Sequence, residues 1–368
     1  MCRDDARRLA ALEVVLATCR KAGARSEAAP RIQRFLASTR DRALASRALV
    51  EAAWLALDAG DAETAEAAVR AALRVAPAEA RAGAGGQSLA EAVFFVGEAR
   101  WSDGERERAA ELYVLAQAAA QGELAARVAY KQGFAALERG DAAAAEAAFE
   151  RLLVEHPDSP LAGECLALLG ESRLARGDAA GAVEPLSRLL AEQPRHESAT
   201  RALLRLGVAQ GELGAWQACE SALRDFLRRA PEDPQAPLAE LWRGRALARR
   251  GEGRAARASL ERVVERDKGA LGAGARLELG ALLESSGDLD GALAEYLKVG
   301  VLYADGPSVA EALFRAGRCL EAQGQGDAAR ERYREVLAEH PRESAAARAR
   351  ERLDALQTER STRTEDTP

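Results

Sequence analysis

The 368-residue sequence contains few of the residue types from which catalytic and metal sites are built. It has three histidines, and its five cysteines lack the paired spacing of a metal site. Two glycine clusters, at 83–86 and 269–274, lack the Gly-Lys-Ser/Thr ending of a phosphate-binding loop. Carboxylates are plentiful, but they are scattered over solvated helix surfaces. The sequence therefore predicts a protein that is not an enzyme, with no cofactor, no metal site and no small-molecule substrate.

Long apolar runs are also missing. No segment approaches the roughly eighteen apolar residues that a membrane-spanning helix requires, and the N-terminus lacks the apolar core of a secretory signal. As it stands, the sequence predicts a cytoplasmic protein. Cys2 leaves a second interpretation open, because a bacterial lipoprotein begins its mature form at a cysteine. A trimmed signal would place the chain in the periplasm, attached to the outer membrane by a lipid on Cys2.

Glycine, in contrast, is abundant and recurs at a nearly constant spacing. The recurring residues are Gly23, Gly60, Gly104, Gly140, Gly177, Gly214, Gly251, Gly287 and Gly324. Successive members are 36 or 37 residues apart, apart from a single spacing of 44 between Gly60 and Gly104. A period of this length predicts a stack of repeated structural units.

Other positions repeat in the same register. The residue seven positions before the glycine is small in every repeat but the first, which has Leu16. The residue five positions after the glycine is Ala or Cys219, and the residue nine positions after it is large. Apolar positions five, nine and twelve residues after the glycine lie on one face of a helix. Proline follows seventeen residues after the glycine in five repeats and ends that helix. Each repeat is therefore predicted to be a helix, a glycine turn and a second helix.

This order of small residue, glycine turn, Ala, aromatic residue or Leu, and Pro resembles the tetratricopeptide repeat, over residues 7–341. The stretches 92–100 and 156–162 resemble a long-period bacterial subgroup that includes proteins of the Tol–Pal and outer-membrane-assembly systems. The resemblance implies an all-α fold, a right-handed α-α superhelical solenoid of about nine hairpins. It also implies a concave groove that binds a protein or peptide partner.

The boundaries follow from the same register. Residues 1–341 are predicted to form the solenoid, with the extra residues of the long spacing in a loop at 78–88. An Arg- and Glu-rich helix at 342–357 is predicted to cap the stack, and the polar segment 358–368 is predicted to be disordered. The oligomeric state stays open.

The resemblance also implies which residues line the groove. In the first helix of each hairpin they lie thirteen, ten, six and three positions before the turn glycine. At these positions stand the aromatic and charged residues Arg47, Trp54, Phe94, Glu98, Trp101, Arg127, Tyr130 and Phe134. Aromatic residues and arginine dominate protein–protein binding energies, so these residues are candidates for partner binding. The alternative is that the rings pack between neighbouring repeats, as is expected for Phe95 and Trp242, which lie nine positions before their glycines.

A second candidate surface is electrostatic. Between Leu241 and Arg257 the chain carries six arginines and one acid, Glu252. Arg245 and Arg249, with Arg201 one repeat earlier, are predicted to form a clamp for anionic groups, carboxylates or phosphates. The alternative is a solvated charged face, and a net charge of −6 disfavours nucleic acid. Relatives that clamp a C-terminal carboxylate use a Lys/Asn/Arg set, and this chain has no Asn.

Two functions follow. The first is a non-catalytic scaffold that binds a partner segment in its groove. The second is a periplasmic or lipid-anchored factor of the Tol–Pal or outer-membrane-assembly type.

Overall fold

The computed structural model describes residue 4 and residues 7–15, 25–78 and 83–365. All regular structure in these ranges is helical, and they contain no strand. The prediction of an all-α fold of helical hairpins is therefore confirmed. Residue contacts divide the chain into unit 1, Met1–Ser172, and unit 2, Arg173–Pro368.

Unit 1 begins with α1, described over residues 7–15, and continues through eight further helices. These are α2 (Arg25–Ser38), α3 (Arg42–Asp58), α4 (Ala62–Val75), α5 (Gly83–Ser102), α6 (Arg106–Gln117), α7 (Gly122–Glu138), α8 (Ala142–Glu155) and α9 (Ala162–Ala175). The boundary between the units falls in the last turn of α9.

Unit 2 holds the remaining helices. These are α10 (Ala179–Glu192), α11 (Ala199–Glu212), α12 (Trp216–Arg229), α13 (Ala236–Arg249), α14 (Gly253–Arg266), α15 (Ala270–Ser285), α16 (Leu289–Leu302), α17 (Gly306–Ala322), α18 (Gly326–Glu339) and α19 (Ser344–Glu365). Odd-numbered helices from α3 to α17 are the first helices of their hairpins, and even-numbered helices are the second.

Each described turn glycine has a left-handed backbone. From Gly60 to Gly324 their φ angles lie between 74° and 84°, a region that costs a side chain energy but not glycine. In the first of these turns Gly60 N–H donates to the Leu57 carbonyl, and Asp61 N–H donates to the Ala56 carbonyl. This pair of hydrogen bonds is the Schellman motif, which satisfies the last carbonyls of a helix. The same pair recurs at every later turn glycine.

The small residue seven positions before the turn has a packing role. A Cβ added at Gly133 would lie under 3.0 Å from the Phe149 ring, and one at Gly317 would lie equally close to Tyr333. In both hairpins the ring nine positions after the turn therefore lies directly on the glycine backbone. This close contact sets the distance between the two helices of a hairpin.

Acids and prolines mark the ends of the second helices. Asp61, Asp141, Asp178 and Asp288 accept a hydrogen bond from a backbone N–H in the first turn of the following helix. Helices α4, α8, α10, α12 and α18 each end two residues before the predicted proline. His156 and His340 are the C-cap residues that directly follow α8 and α18.

Each unit has its own apolar core. In unit 1 a cluster of buried side chains includes Phe94 and Tyr113, and a smaller one includes Ile32 and Phe35. In unit 2 the largest cluster includes Tyr296 and Tyr333, and Ala346, Ala349 and Leu353 of α19 belong to it. Helix α19 thus packs on the last hairpin, where the sequence predicted a capping helix.

Two boundaries differ from the sequence prediction. Helix α5 begins at Gly83, so most of the described part of the predicted loop 78–88 is helical, and residues 79–82 lie outside the described residues. The extra residues therefore lengthen α5 to 20 residues, against 14 to 17 in the other first helices. Helix α19 continues to Glu365, beyond residue 357 where the predicted capping helix ends. None of the described helices is long and apolar enough to cross a lipid bilayer.

Candidate functional site

One side of each first helix faces solvent. Its residues lie thirteen, nine, six and two positions before the turn glycine, and nearly all of them are partly or fully exposed. These spacings of four, three and four residues follow a single stripe of a helix. Position ten, by contrast, is buried in most hairpins, as at Val50, Leu204 and Leu241. We call this stripe on α3, α5 and α7, together with the rings that contact it, the ring face of unit 1.

Eight aromatic rings form a continuous chain of contacts in unit 1. They are Trp54, Phe94, Phe95, Trp101, Tyr113, Tyr130, Phe134 and Phe149, with neighbouring centroids 5.4 to 6.4 Å apart. The contacts join first helices of successive hairpins: Trp54 of α3 meets Phe95 of α5, and Trp101 of α5 meets Phe134 of α7. Tilted and edge-on geometries of this kind are the favourable ones for aromatic pairs.

The rings divide into a buried set and a solvent-facing set. Phe94, Tyr113 and Phe149 are fully buried. Phe95 is 38% exposed, and Trp54, Trp101, Tyr130 and Phe134 are half-buried. The buried rings hold the outer five in place, so the ring face presents apolar surface on side chains whose positions are already fixed.

Phe94 is a correction to the predicted set. Its side chain has no exposed surface, so it belongs to the core and cannot contact a partner. Its neighbour Phe95, which was predicted to pack between helices, is the exposed ring. The sequence periodicity could have indicated this. The residue nine positions before the turn glycine follows the one at thirteen by four residues and precedes the one at six by three, so all three lie on one stripe of the helix.

The charged candidates of unit 1 are mostly paired. Glu98 accepts a hydrogen bond of 2.6 Å from the Tyr113 hydroxyl and forms a 2.8 Å ion pair with Lys131 of α7. Burial, together with the nearby Glu98 carboxylate, raises the pKa of Tyr113, so its hydroxyl stays a donor. Arg47 pairs with Glu13 at 2.6 Å.

Arg127 differs from these. Its guanidinium carbon lies 4.7 Å from the centroid of Phe94 and 5.3 Å from that of Phe95. Both distances are within the range of cation–π attraction. The described residues include no carboxylate in an ion pair with Arg127. The structure thus places this arginine against the ring face.

In unit 2 the predicted arginine clamp is largely occupied by the protein's own groups. Arg245 forms a 2.8 Å ion pair with Glu278 of α15 and lies 5.0 Å from the Trp242 ring. Arg249 is exposed and lies 5.8 Å from the ring of Trp216. Arg201 on α11 donates to the Ser198 hydroxyl at 3.4 Å. Nearby Arg243 and Arg250 share the buried Glu220.

A groove on the other side of unit 1 has no counterpart in the sequence prediction. It lies between α6, α7 and α8 and has a volume of about 630 Å³. Alanines, among them Ala110, Ala136 and Ala148, form its floor, and the 62% exposed Val114 lies at its edge. Because small side chains create the groove, no periodic pattern of large residues marks it.

Reactive or metal-binding groups are not gathered anywhere in the described ranges. No group of three or more His, Cys, Asp or Glu residues is positioned there to hold a metal ion. Burial raises the pKa of the Cys165 and Cys219 thiols to about 12 and that of Cys319 to about 11, so these thiols stay protonated near neutral pH. The predicted lipid site, Cys2, lies outside the described residues.

Comparison with known families finds the same repeat in both units. Residues 208–358 match the tetratricopeptide repeat-like domain, and residues 127–159 match the tetratricopeptide repeat. The matches do not extend to the Tol–Pal subgroup. No curated protein matches the chain.

Several solved structures are similar to this chain at low identity and with TM-scores below 0.5. A tetratricopeptide repeat protein from Parabacteroides merdae is 18% identical over 70% of this chain and 93% of its own, with a TM-score of 0.40. PilW, a type IV pilus biogenesis factor, is 19% identical over 60% of this chain and 96% of its own, with a TM-score of 0.47. YrrB, described as having an unusual peptide-binding site, is 21% identical over 48% of this chain and 85% of its own, with a TM-score of 0.40.

Proposed function

Because the chain belongs to the tetratricopeptide repeat family, we propose that it is a non-catalytic scaffold that holds a segment of a partner protein on the ring face of unit 1. One observation carries the proposal: five partly exposed rings lie on three successive first helices, in two contacting groups that the buried Phe94 and Tyr113 connect. Repeat proteins of this kind act through the long surface that the stacked repeats create.

The chemistry of the ring face supports binding of a protein segment. Trp and Tyr supply much apolar area, and each also has a polar atom that can form a hydrogen bond. Such residues account for most of the binding energy at protein interfaces. The outer rings lose little freedom when a partner binds, because Phe94 and Tyr113 already fix their positions. Binding to a preformed surface avoids part of the entropy cost of association.

The exposed residues that flank the rings make the face selective. Glu98 and Lys131 form an ion pair with each other, so a partner that covers Phe95 or Phe134 leaves neither of these two charges unpaired. Trp101 is covered on one side by Arg106, whose guanidinium lies 4.0 Å from the ring and donates to the Trp101 carbonyl. The open apolar area is therefore concentrated at Trp54, Phe95 and Phe134.

The arginines of unit 2 form a second, smaller part of this proposal. Arg249 beside Trp216 is the member best placed to meet an acidic group of a partner, because it is exposed and forms no ion pair with the described residues. Arg245 would first have to leave Glu278, which lowers its net contribution.

A capture experiment tests the proposal. Tagged protein and a Phe95→Ala/Phe134→Ala variant are used to recover partners from the source cell, and the recovered proteins are quantified by mass spectrometry. A Val154→Ala/Leu213→Ala variant is the matched control, because both of its residues are exposed apolar side chains outside the ring face. We expect at least one partner to be retained by the wild type and the control but lost by the ring-face variant. Equal recovery by all three proteins would contradict the proposal.

The envelope role remains a prediction from the sequence. It depends on Cys2, which is outside the described residues. Labelling of the source cell with a radioactive fatty acid tests it: incorporation that is lost in Cys2→Ala supports a lipid anchor, and a lack of incorporation contradicts one.

A further inference from the structure

Arg127 is the basic residue of the ring face that forms no ion pair with the described residues. Arg47, which occupies the equivalent position two hairpins earlier on α3, pairs with Glu13, and Lys131 pairs with Glu98. Within the described part of the chain the guanidinium of Arg127 lies against the rings of Phe94 and Phe95 and forms no ion pair. A half-buried guanidinium without a carboxylate has given up part of its hydration without a compensating ion pair.

The rings of Phe94 and Phe95 hold the Arg127 guanidinium in place. Phe94 and Phe95 meet edge to face, with an interplanar angle of 81°, and the guanidinium lies against both. Stacking of this kind covers part of the planar group while its N–H donors stay available at the edge. An arginine held in this way presents paired donors that match the geometry of a carboxylate.

The ring face carries a second charged side chain that lacks an ion pair with the described residues. Glu91 stands on α5 one turn before Phe95, at the same register position as Arg127, and it is half-buried without an ion pair to any described residue. It repels a second acid on a bound segment and attracts a base. The surface therefore favours a segment with a single acid over a segment with a run of acids.

We propose that the segment bound by unit 1 carries one Asp or Glu next to an aromatic or aliphatic side chain. The carboxylate pairs with Arg127, and the apolar side chain packs on Phe95 and Trp54, whose rings lie 5.4 Å apart. This inference rests on the proposed function, and it adds the chemistry of the partner. It also moves the main acid-binding contact from the arginines of unit 2 to Arg127.

A library of random twelve-residue peptides displayed on phage tests the inference without knowledge of the natural partner. Selections are made on four full-length proteins: wild type, Arg127→Gln, Trp54→Ala/Phe95→Ala and Arg47→Gln. The last is the matched control, since Arg47 has the same residue type and register position but is already paired. Circular dichroism and thermal unfolding confirm that each variant is folded.

We expect the wild type and Arg47→Gln to select peptides with one Asp or Glu beside Phe, Trp or Leu. Arg127→Gln should still select the apolar residue but lose the preference for the acid. In a selected peptide, replacement of the acid by its amide should weaken binding to the wild type by roughly tenfold and leave binding to Arg127→Gln nearly unchanged. Arg127→Lys, which keeps the charge, should restore part of the acid preference.

Two results would overturn the inference. One is a wild-type selection that depends on the rings but shows no preference for an acid. The other is an acid preference that survives in Arg127→Gln. A different failure separates the inference from the function on which it rests: if no peptide selected by the wild type is lost by Trp54→Ala/Phe95→Ala, the ring face is not a peptide-binding surface.

Discussion

The exposed stripes of the first helices differ between the two units, although both units repeat the same helical hairpin with the same glycine turn. In unit 1, on α3, α5 and α7, rings stand at three of the six positions that lie nine and six residues before the turn: Trp54, Phe95 and Phe134. In unit 2 the same positions carry Trp242, Arg245, Arg315 and Arg318. The turn glycines and the packed rings behind them are alike in both. The difference shows that the repeat determines the fold, whereas the exposed positions are free to acquire a binding chemistry.

The two stripes also differ in what they leave uncovered, although each carries ion pairs and each has an arginine without one, Arg127 in unit 1 and Arg249 in unit 2. In unit 2 Arg245 pairs with Glu278 and Arg315 pairs with Glu311. In unit 1 the rings offer apolar area that the protein itself leaves uncovered, and Arg127 is stacked but unpaired. A partner that binds unit 1 therefore gains contacts, whereas a partner that binds Arg245 or Arg315 exchanges one ion pair for another. This contrast favours unit 1 as the main binding surface.

The largest expected effect separates the core ring from the surface ring in unit 1. Phe94→Ala removes a fully buried side chain and should lower the free energy of unfolding by about 3–5 kcal/mol. Phe95→Ala, one residue further on, should lower it by clearly less, because the Phe95 side chain is 38% exposed, but should abolish partner capture. Urea unfolding followed by circular dichroism measures both variants. Equal destabilisation by the two would mean that Phe95 is a core residue.

A buried ion pair in unit 1 should give the next largest effect. Glu66 and Arg100 join the second helix of one hairpin to the first helix of the next, with a distance of 2.6 Å and little exposure of either side chain. Arg100→Ala leaves the Glu66 carboxylate with only Arg70, and removal of one partner of a buried pair costs about 3 kcal/mol or more. The control is Arg188→Ala, whose ion pair with Glu192 is more exposed and should contribute less than about 1 kcal/mol.

Insertion of a methyl group beneath the packed ring should affect both units alike. Gly133→Ala in unit 1 and Gly317→Ala in unit 2 place a Cβ under 3.0 Å from Phe149 and Tyr333, respectively. Overpacking of this kind costs about 1–3 kcal/mol. Hydrogen exchange of each hairpin measures the local effect. A large loss of protection from hydrogen exchange in one unit and none in the other would show that the two helices of a hairpin do not pack in the same way in both units.

The smallest expected effect is a dependence on pH. Burial raises the pKa of Glu66, but hydrogen bonds and charge from Arg70 and Arg100 outweigh burial and hold it below its ordinary value of 4.5. The folded protein then binds fewer protons at Glu66 than the unfolded chain, so this stabilisation exists above pH 4.5 and is lost as pH falls through the lowered pKa. Thermal unfolding of Glu66→Gln between about pH 5 and pH 3 should therefore show a weaker dependence on pH than the wild type. A wild-type-like dependence would show that Glu66 contributes no such linkage.

Much of the fold could be predicted because glycine and proline constrain the backbone directly. Gly60 and its equivalents adopt a left-handed conformation that few other residues tolerate, and this fixed the position of each turn. Large residues such as Tyr333, nine positions after the turn, marked the buried face of each second helix. The extension of α5 back to Gly83 was missed because a glycine-rich segment favours a loop by its local preferences, and packing overrode them.

The candidate site was predicted less well, because adjacent residues on a helix point in different directions. An error of one position in the exposed stripe therefore exchanges a buried residue for an exposed one. Positions ten and nine before the turn are adjacent in sequence, yet Phe94 is buried and Phe95 is exposed. Ion pairs between hairpins, such as Arg245 with Glu278, join residues 33 positions apart and leave no local pattern. The structure, and not the sequence, therefore shows that Arg245 is paired and that Arg127 forms no ion pair with the described residues.

Photocrosslinking from one register position in both units tests the central claim most directly. A photoreactive benzoylphenylalanine is placed at Phe95 of unit 1 or at Trp242 of unit 2, each nine positions before its turn glycine. We expect irradiation with the captured partner to give a covalent adduct from position 95 and little or none from position 242. An adduct from position 242 alone would contradict the assignment of the binding surface to unit 1.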